Sequence, residues 1–243
     1  MVRMHCIRRY HPVDHLFPIL YIIMMMSLFL DNYEWILYII SGTAVTLKYS
    51  ITSVVFGSAL GIILALCRVS NVATLRLLSR CYMSIFRGTP VILQLSICYF
   101  VLPQMLNIDL GKYLPIILAL SLNSAAYVGE IIRSGINSVS KGQLEAARAL
   151  SLPYTTTMRY IILPQALRNS IPALLNEVIN LIKESSIMSI IGELDIMRRA
   201  QIIAMEEYNY FKPLVVAGLN YYIIVILCSS IVYIIEKHHS RHI

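Results

Sequence analysis

Lys141-Gly142-Gln143-Leu144-Glu145-Ala146-Ala147-Arg148-Ala149-Leu150-Ser151-Leu152-Pro153 is a polar island in an apolar chain, and it runs on to Ile161-Ile162-Leu163-Pro164. It reads as a short helix held outside a membrane. Ser140 followed by Gln143 spells a capping box, Ala and Leu fill the next turns, and Pro153 cannot continue the hydrogen-bond ladder. A second helical stretch is expected from Thr155 to Pro164. Leu144, Ala147 and Leu150 fall on one side, and Glu145 and Arg148 form a charged rim. That pattern suits a peg for a partner's groove, or equally an amphipathic helix on lipid headgroups.

The sequence around the island is that of an integral membrane protein. Hydrophobic residues make up 58% of the 243 and charged ones only 14%, with a mean hydropathy of +0.70, which excludes an ordinary soluble domain. Apolar stretches run over Ala44–Cys67, Thr89–Leu106, Tyr113–Ile132, Ile171–Ile191 and Pro213–Ile235. Each is of the order of the 20 residues that a helix needs to cross a hydrocarbon core of about 30 Å. The expected fold is therefore all-α and polytopic, with five core transmembrane helices. A sixth run, Leu16–Leu30, reaches only about 22 Å as a helix and is expected as an extra N-terminal membrane helix within an extension over 1–40. A cleaved signal peptide is the competing reading of that run. The long charged leader, and the lack of a small-residue cleavage site after the apolar core, speak against it.

The net charge of +7 matters through its distribution. Arg68, Arg76, Arg80 and Arg87 follow the first strong span, and Arg133, Lys141, Arg148, Arg159 and Arg168 fill the loop after the third. Lys237 and Arg241 close the chain. If the spans alternate, these lie together and mark the cytoplasmic side, opposite Lys48, Lys112, Arg198, Arg199 and Lys212. The island is then cytoplasmic. A basic total on this background points to membrane topology, and no nucleic-acid partner is expected. The five cysteines form no CxxC pair and sit mostly in or beside apolar spans, so they read as packing residues; no metal or cofactor is expected. The segment from Gly192 to Lys212 is polar, helix-compatible until Asn209 and placed outside.

Polar residues recur inside the spans. Asn123, Tyr127, Glu130, Ser134 and Asn137 share one helix face, and so do Asn169, Asn176, Asn180 and Lys183, with Glu177 and Glu184 flanking. Charged groups near a helix centre cost about 2.5–3.5 kcal/mol on insertion scales, so these faces should meet a bundle interior or a watery path. The candidate solute-path residues are Asn123, Tyr127, Asn176, Glu177, Asn180, Lys183 and Glu184. The alternative is a self-paired network, Lys183 with Glu184 or Glu177, and Glu130 is expected to pair with Arg133. Pro90 and Pro103 are expected to bend or end the second span. Gly57 and Gly61 permit close helix approach.

The Glu145-Ala146-Ala147 segment, with Ile161, Leu163 and Pro164 in register, resembles the EAA motif of permease subunits in ABC importers. Gly42-Thr43-Ala44-Val45-Thr46-Leu47, Phe86-Arg87-Gly88-Thr89-Pro90, Asn123-Ser124-Ala125-Ala126-Tyr127-Val128-Gly129-Glu130 and Leu163-Pro164-Gln165-Ala166-Leu167-Arg168 extend the resemblance to the polar amino-acid uptake branch of that family. The likeness covers roughly Gly42 to Ile235 and implies a permease domain over 41–243, with its cytoplasmic coupling loop at 138–164. It also implies two ATP-binding subunits in the cytoplasm, a solute-binding protein outside, and a second permease copy or paralogue in a bacterial cytoplasmic membrane. Gly142, Glu145, Ala146, Ala147, Arg148 and Ser151 would form the coupling surface; Ser151 stands where the family has Gly. No GxxxxGK[ST] loop is present, so ATP hydrolysis is expected in a partner. A secondary transporter or channel for a small polar solute is the rival reading. An intramembrane enzyme finds no HExxH, GxSxG or paired intramembrane aspartates to support it.

Overall fold

Ten buried residues from Ile36 to Ala65, spaced three or four apart except for the adjacent Tyr49 and Ser50, give the first helix a continuous inward face; this helix, α1 (Tyr33–Val69), is 37 residues long. At 1.5 Å per residue it measures about 55 Å and overreaches the hydrocarbon core. The structure, a computed structural model, describes residues 33–240, with side chains through 234. The Leu16–Leu30 run lies outside the described residues, as does most of the 1–40 extension.

The remaining elements are α2 (Ala73–Gly88), α3 (Val91–Leu106, with a π-turn over Ile97–Val101) and α4 (Tyr113–Ser138). The short α5 (Lys141–Ala149) follows. Next comes α6, which opens at Tyr154–Thr157, passes a π-turn at Met158–Ile162 and runs on through Leu163–Glu184. A tighter 3₁₀ segment, Ser185–Ile191, leads to α7 (Ile196–Glu206) and then α8 (Phe211–Ser240). Among the described residues there is no strand.

Three of the expected spans fall inside α1, α4 and α8, each long and apolar enough to cross a membrane. The Thr89–Leu106 stretch does not stand alone: α3 joins α2 across a 103° bend at Thr89–Pro90, and by length and composition the two pass together as one broken span or a re-entrant loop. Pro90 has no N–H to donate and biases the residue before it away from the helical region, so the ladder stops there. The π-turn before Pro103 has the same origin: the Leu102 N–H bonds back to the Ile97 carbonyl, a longer reach that accommodates a residue with no donor. The fourth expected span, Ile171–Ile191, is helical only to Glu184 and tightens beyond it. The stretch expected to stop at Pro164 does not stop. Pro164 sits in the first turn after the π-turn, where a missing N–H is tolerated, and the helix continues into the membrane.

Packing is most extensive between α1 and α4. A Cβ on Gly57 would stand 2.9 Å from the Ser124 Cβ, and one on Gly61 would stand 2.7 Å from the Val128 Cβ. Without side chains at those two points the backbones come together, and van der Waals contact holds them where lipid offers no hydrophobic drive. Three apolar clusters stack along the molecule. An outer one joins Ile36, Ile39, Ile182, Ile196, Ile203 and Val216; a middle one joins Tyr49, Leu95, Ile116, Leu120, Leu181 and Met188; an inner one joins Ala65, Val128 and Ile132.

On the outer side, Asp195 starts α7. Its carboxylate accepts from the Arg198 N–H at 2.8 Å and from the Tyr221 hydroxyl at 3.3 Å, and the residue has no exposed surface. Burial pushes this carboxyl up to about 6 from its ordinary 3.8.

Candidate coupling surface and solute path

The polar island folds as α5, and its C-terminal end is decided by Ser151. That residue takes φ +54°, the left-handed conformation in which glycine is favoured. The Leu152 N–H bonds the Ala147 carbonyl at 3.0 Å and the Ser151 N–H bonds the Arg148 carbonyl at 2.9 Å. These are the two bonds of a Schellman motif. Ser151 therefore turns as glycine would, and Pro153 follows to begin the next helix.

The start of α5 departs from expectation. The Ser140 hydroxyl makes no bond to the helix, so the capping box does not form. The Gln143 N–H that the hydroxyl would have taken is already bonded to the Ser140 carbonyl at 3.0 Å.

The helix presents two faces. Ala147, 2% exposed, is turned back against the rest of the chain, and Leu144 is half-buried beside it. Gly142, Glu145, Ala146, Arg148 and Ser151 are all exposed. Leu150, 73% exposed, stands clear of both faces at the cap. The expected grouping of Leu144, Ala147 and Leu150 into one apolar side is thus corrected, because the helix ends at Ala149 and Leu150 has already left its register. Behind α5, a cavity of about 300 Å³ opens between Val69, Ile136, Val139, Leu144, Met158 and Ile162.

Inside the membrane the candidate path residues divide. Asn123 is 3% exposed and holds the α2–α3 bend: its amide donates to Gln94 Oε1 at 3.1 Å, and Gln94 in turn donates to the Phe86 carbonyl at 2.8 Å and to Thr89 Oγ1 at 2.9 Å. Tyr127 is half-buried, with the Arg87 guanidinium 5.8 Å from its ring centre. On α6 an open stripe carries Asn169, Asn176, Asn180 and Lys183. Glu177, 7% exposed, is turned off that stripe toward Ser124 and Glu184, and Glu184 is half-buried. Among the described residues the ion pairs within 4.0 Å are Arg133–Glu130 and Arg87–Glu130, and Lys183 joins neither. Asn169 fastens α6 to α4 by donating to Ser138 Oγ at 2.9 Å.

Glu130 takes Arg133 as expected, through two hydrogen bonds, Nε to Oε2 at 3.0 Å and Nη2 to Oε1. Arg87, 3.4 Å from Oε2, was not anticipated at this place. Charge counting puts it in a cytoplasmic loop, because the span is taken to begin at Thr89. The bend at Thr89–Pro90 lays α2 against α4, through Tyr82 and the Leu122 carbonyl, and brings Arg87 to Glu130. Gln94 and Asp195 were also missed as organising residues. Gln94 sits four residues after Pro90 in an otherwise apolar run, and that isolated amide was the available signal.

The family model of the binding-protein-dependent transport system inner membrane component matches residues 57–243. The chain belongs to that family. It is an ABC permease, a membrane transport subunit. A protein of Rickettsia typhi described as a glutamine transport system permease is 52% identical to it over 213 residues, covering 88% of this permease and 98% of the relative. The arginine transport system permease protein of Bacillus subtilis is 48% identical over 200 residues, covering 82% and 91%. A solved amino acid ABC transporter, crystallised with histidines, superposes with a TM-score of 0.82 at 37% identity, covering 86% of this permease and 98% of that chain. A methionine ABC transporter in an inward-facing form shares the fold, with a TM-score of 0.63 at 21% identity.

Proposed function

We propose that this permease moves a polar amino acid, of the arginine, histidine or glutamine type, inward across the cytoplasmic membrane, driven by ATP-binding subunits that dock on α5. The observation that carries the docking is the two-faced α5. Its inner face is seated through Ala147, while Glu145, Ala146 and Arg148, with Leu150 at the cap, are left uncovered by the rest of the chain. A leucine 73% exposed beside a charged rim fits a groove on another protein. Gly142 and Ser151 bound that surface.

In this reading two ATP-binding subunits close when they bind nucleotide and pull on α5. Alternating access follows if the closed pair makes better contact with the outward-open arrangement. A solute-binding protein delivers the amino acid outside. A second permease copy or paralogue supplies the other wall of the path, against the open stripe of Asn176, Asn180 and Lys183 on α6. Tyr127 lines the same route; Asn123 holds the bend beside it, and Glu177 and Glu184 back the stripe.

The test is uptake into proteoliposomes containing the permease, its ATP-binding subunit and its solute-binding protein. ATP-dependent accumulation of a polar amino acid, abolished by omitting the ATP-binding subunit, is expected. Uptake that persists on a proton or sodium gradient without that subunit would instead establish a secondary transporter.

A further inference from the structure

We infer that Arg87 is a specificity-determining residue of the path: its guanidinium receives the carboxylate of the transported amino acid on the inner half of the membrane, and the solute is one whose side chain carries no positive charge. The inference rests on the amino-acid reading above and goes beyond it by naming the receiving group and the charge class.

Place comes first. The carbonyl of Phe86, next in the chain, lies within reach of the Asn123 amide, and the Tyr82 hydroxyl donates to the Leu122 carbonyl at 2.8 Å. The end of α2 is therefore level with the middle of α4. From there the Arg87 side chain extends toward the cytoplasm, past the Tyr127 ring, to Glu130. Tyr127 and Glu130 belong to the polar face of α4 that also carries Ser134 and Asn137. This face is turned away from α1, whose contacts fall on Ser124 and Val128, and from the α6 contact at Gly135. Arg87 thus points along the polar face rather than into lipid.

Hydrogen-bond capacity comes next. Arg133 holds Glu130 through a two-point fork. Arg87 meets the same carboxylate only at 3.4 Å and keeps 41% of its side chain exposed. Most of its five donors are unspent. A guanidinium with spare donors beside a polar helix face calls for an anion or water, and its planar fork matches a carboxylate.

The local charge agrees. Two guanidinium groups, those of Arg87 and Arg133, meet one acid. The excess is positive, which attracts a carboxylate and disfavours a solute whose side chain adds a second positive charge to its α-ammonium. On α6, Glu177, the carboxylate that would have welcomed a cationic side chain, is buried off the open stripe. A zwitterion with an uncharged polar side chain fits that field. A lipid phosphate shares the anion chemistry, but the polar face of α4 is no lipid surface.

Equilibrium binding to the permease assembled with its ATP-binding subunit, without solute-binding protein, tests this, using labelled glutamine with glutaminamide and arginine as competitors. The wild type should prefer glutamine to glutaminamide by about tenfold or more, the factor expected for a charge-assisted bond, and should take arginine less well than glutamine. Arg87→Gln should erase the discrimination against the amide, and Arg87→Lys should restore part of it. Discrimination is the deciding readout because a loss of fold lowers binding of all three ligands together; if Arg87→Gln does not assemble, the Arg87→Lys complex and the wild-type preference against the amide carry the test. Three results overturn the inference: equal binding of amide and acid by the wild type, unchanged discrimination in Arg87→Gln, or arginine bound as well as glutamine. A lipid role would show as tight phosphatidylglycerol retention lost in Arg87→Gln with glutamine discrimination intact. Absence of any amino-acid binding together with absence of ATP-driven uptake would defeat the amino-acid reading itself, and this one with it.

Discussion

Gly42 and Ile196 pack backbone to backbone: a Cβ on Gly42 would stand 2.6 Å from the Ile196 nitrogen. The neighbours are main-chain atoms at the start of α7, with no flexible side chain to yield, so any larger residue must push α7 off α1. Gly42→Ala is expected to lower stability by about 1–3 kcal/mol, read as a lower melting temperature in detergent. Gly218, exposed on α8 with nothing within 4 Å of its would-be Cβ, is the control. Its replacement by Ala should be neutral or stabilising by up to about 1 kcal/mol, through helix propensity.

Asp195 makes the outer face sensitive to pH. Its carboxyl is raised from 3.8 to about 6, so between those values the folded protein holds a proton that the unfolded chain has released. Stability from this group is therefore full below about pH 4, falls as pH rises toward 6, and is level above. The difference is of the order of 2–3 kcal/mol. Asp195→Asn keeps an oxygen to cap α7 and cannot titrate; its melting curves should lose that slope between pH 4 and 6.

Ser151 holds a conformation that costs a non-glycine residue about 1 kcal/mol. Ser151→Gly should stabilise the α5 cap by about that amount, seen as slower amide exchange at Ser151 and Leu152. Ser151→Val should do the reverse and reduce ATP-driven uptake by misplacing α5.

Gln94 serves the α2–α3 bend from one side chain, bonding Phe86, Thr89 and Asn123. Gln94→Leu leaves those groups unpaired in a low-dielectric interior, at a cost of about 2 kcal/mol or more. Gln94→Glu should be worse, since a carboxylate cannot donate to the Phe86 and Thr89 oxygens. Thermal stability of the purified permease in detergent checks both.

On α5, Glu145→Lys should leave membrane insertion and yield unchanged, because Glu145 is exposed. ATPase activity coupled to transport should fall at least tenfold if α5 is the docking helix. Ala147→Trp should lower yield as well, because Ala147 is seated at 2% exposure.

Most of the architecture was legible because apolar length decides it. The runs inside α1, α4 and α8 are uninterrupted, and positive charge orients them. What escaped was set by proline and by single polar side chains. Pro90 could be read as a bend, but nothing local says that the amphipathic segment before it, Ala73–Gly88 with its three arginines, packs along α4. That required the contacts of Tyr82 and Phe86 with α4. Asn123 was selected for the path by helical periodicity, which finds a face but cannot separate a residue lining that face from one pinning a neighbour. Glu177 illustrates the same limit: it lies on α6 beside Asn176, and one step of about 100° carries it from open surface to burial.

The α1–α4 seam leaves no clearance at Gly57 or Gly61, so the two helices behave as one beam. Motion imposed at α5 cannot be absorbed by sliding along it. If α5 is the docking helix proposed above, that motion meets its first departure from regular winding on α6 at Met158–Ile162, one helical turn after Pro153. That π-turn stands to the membrane helices as a bearing stands to a crank, and the beam gives the crank something fixed to push against.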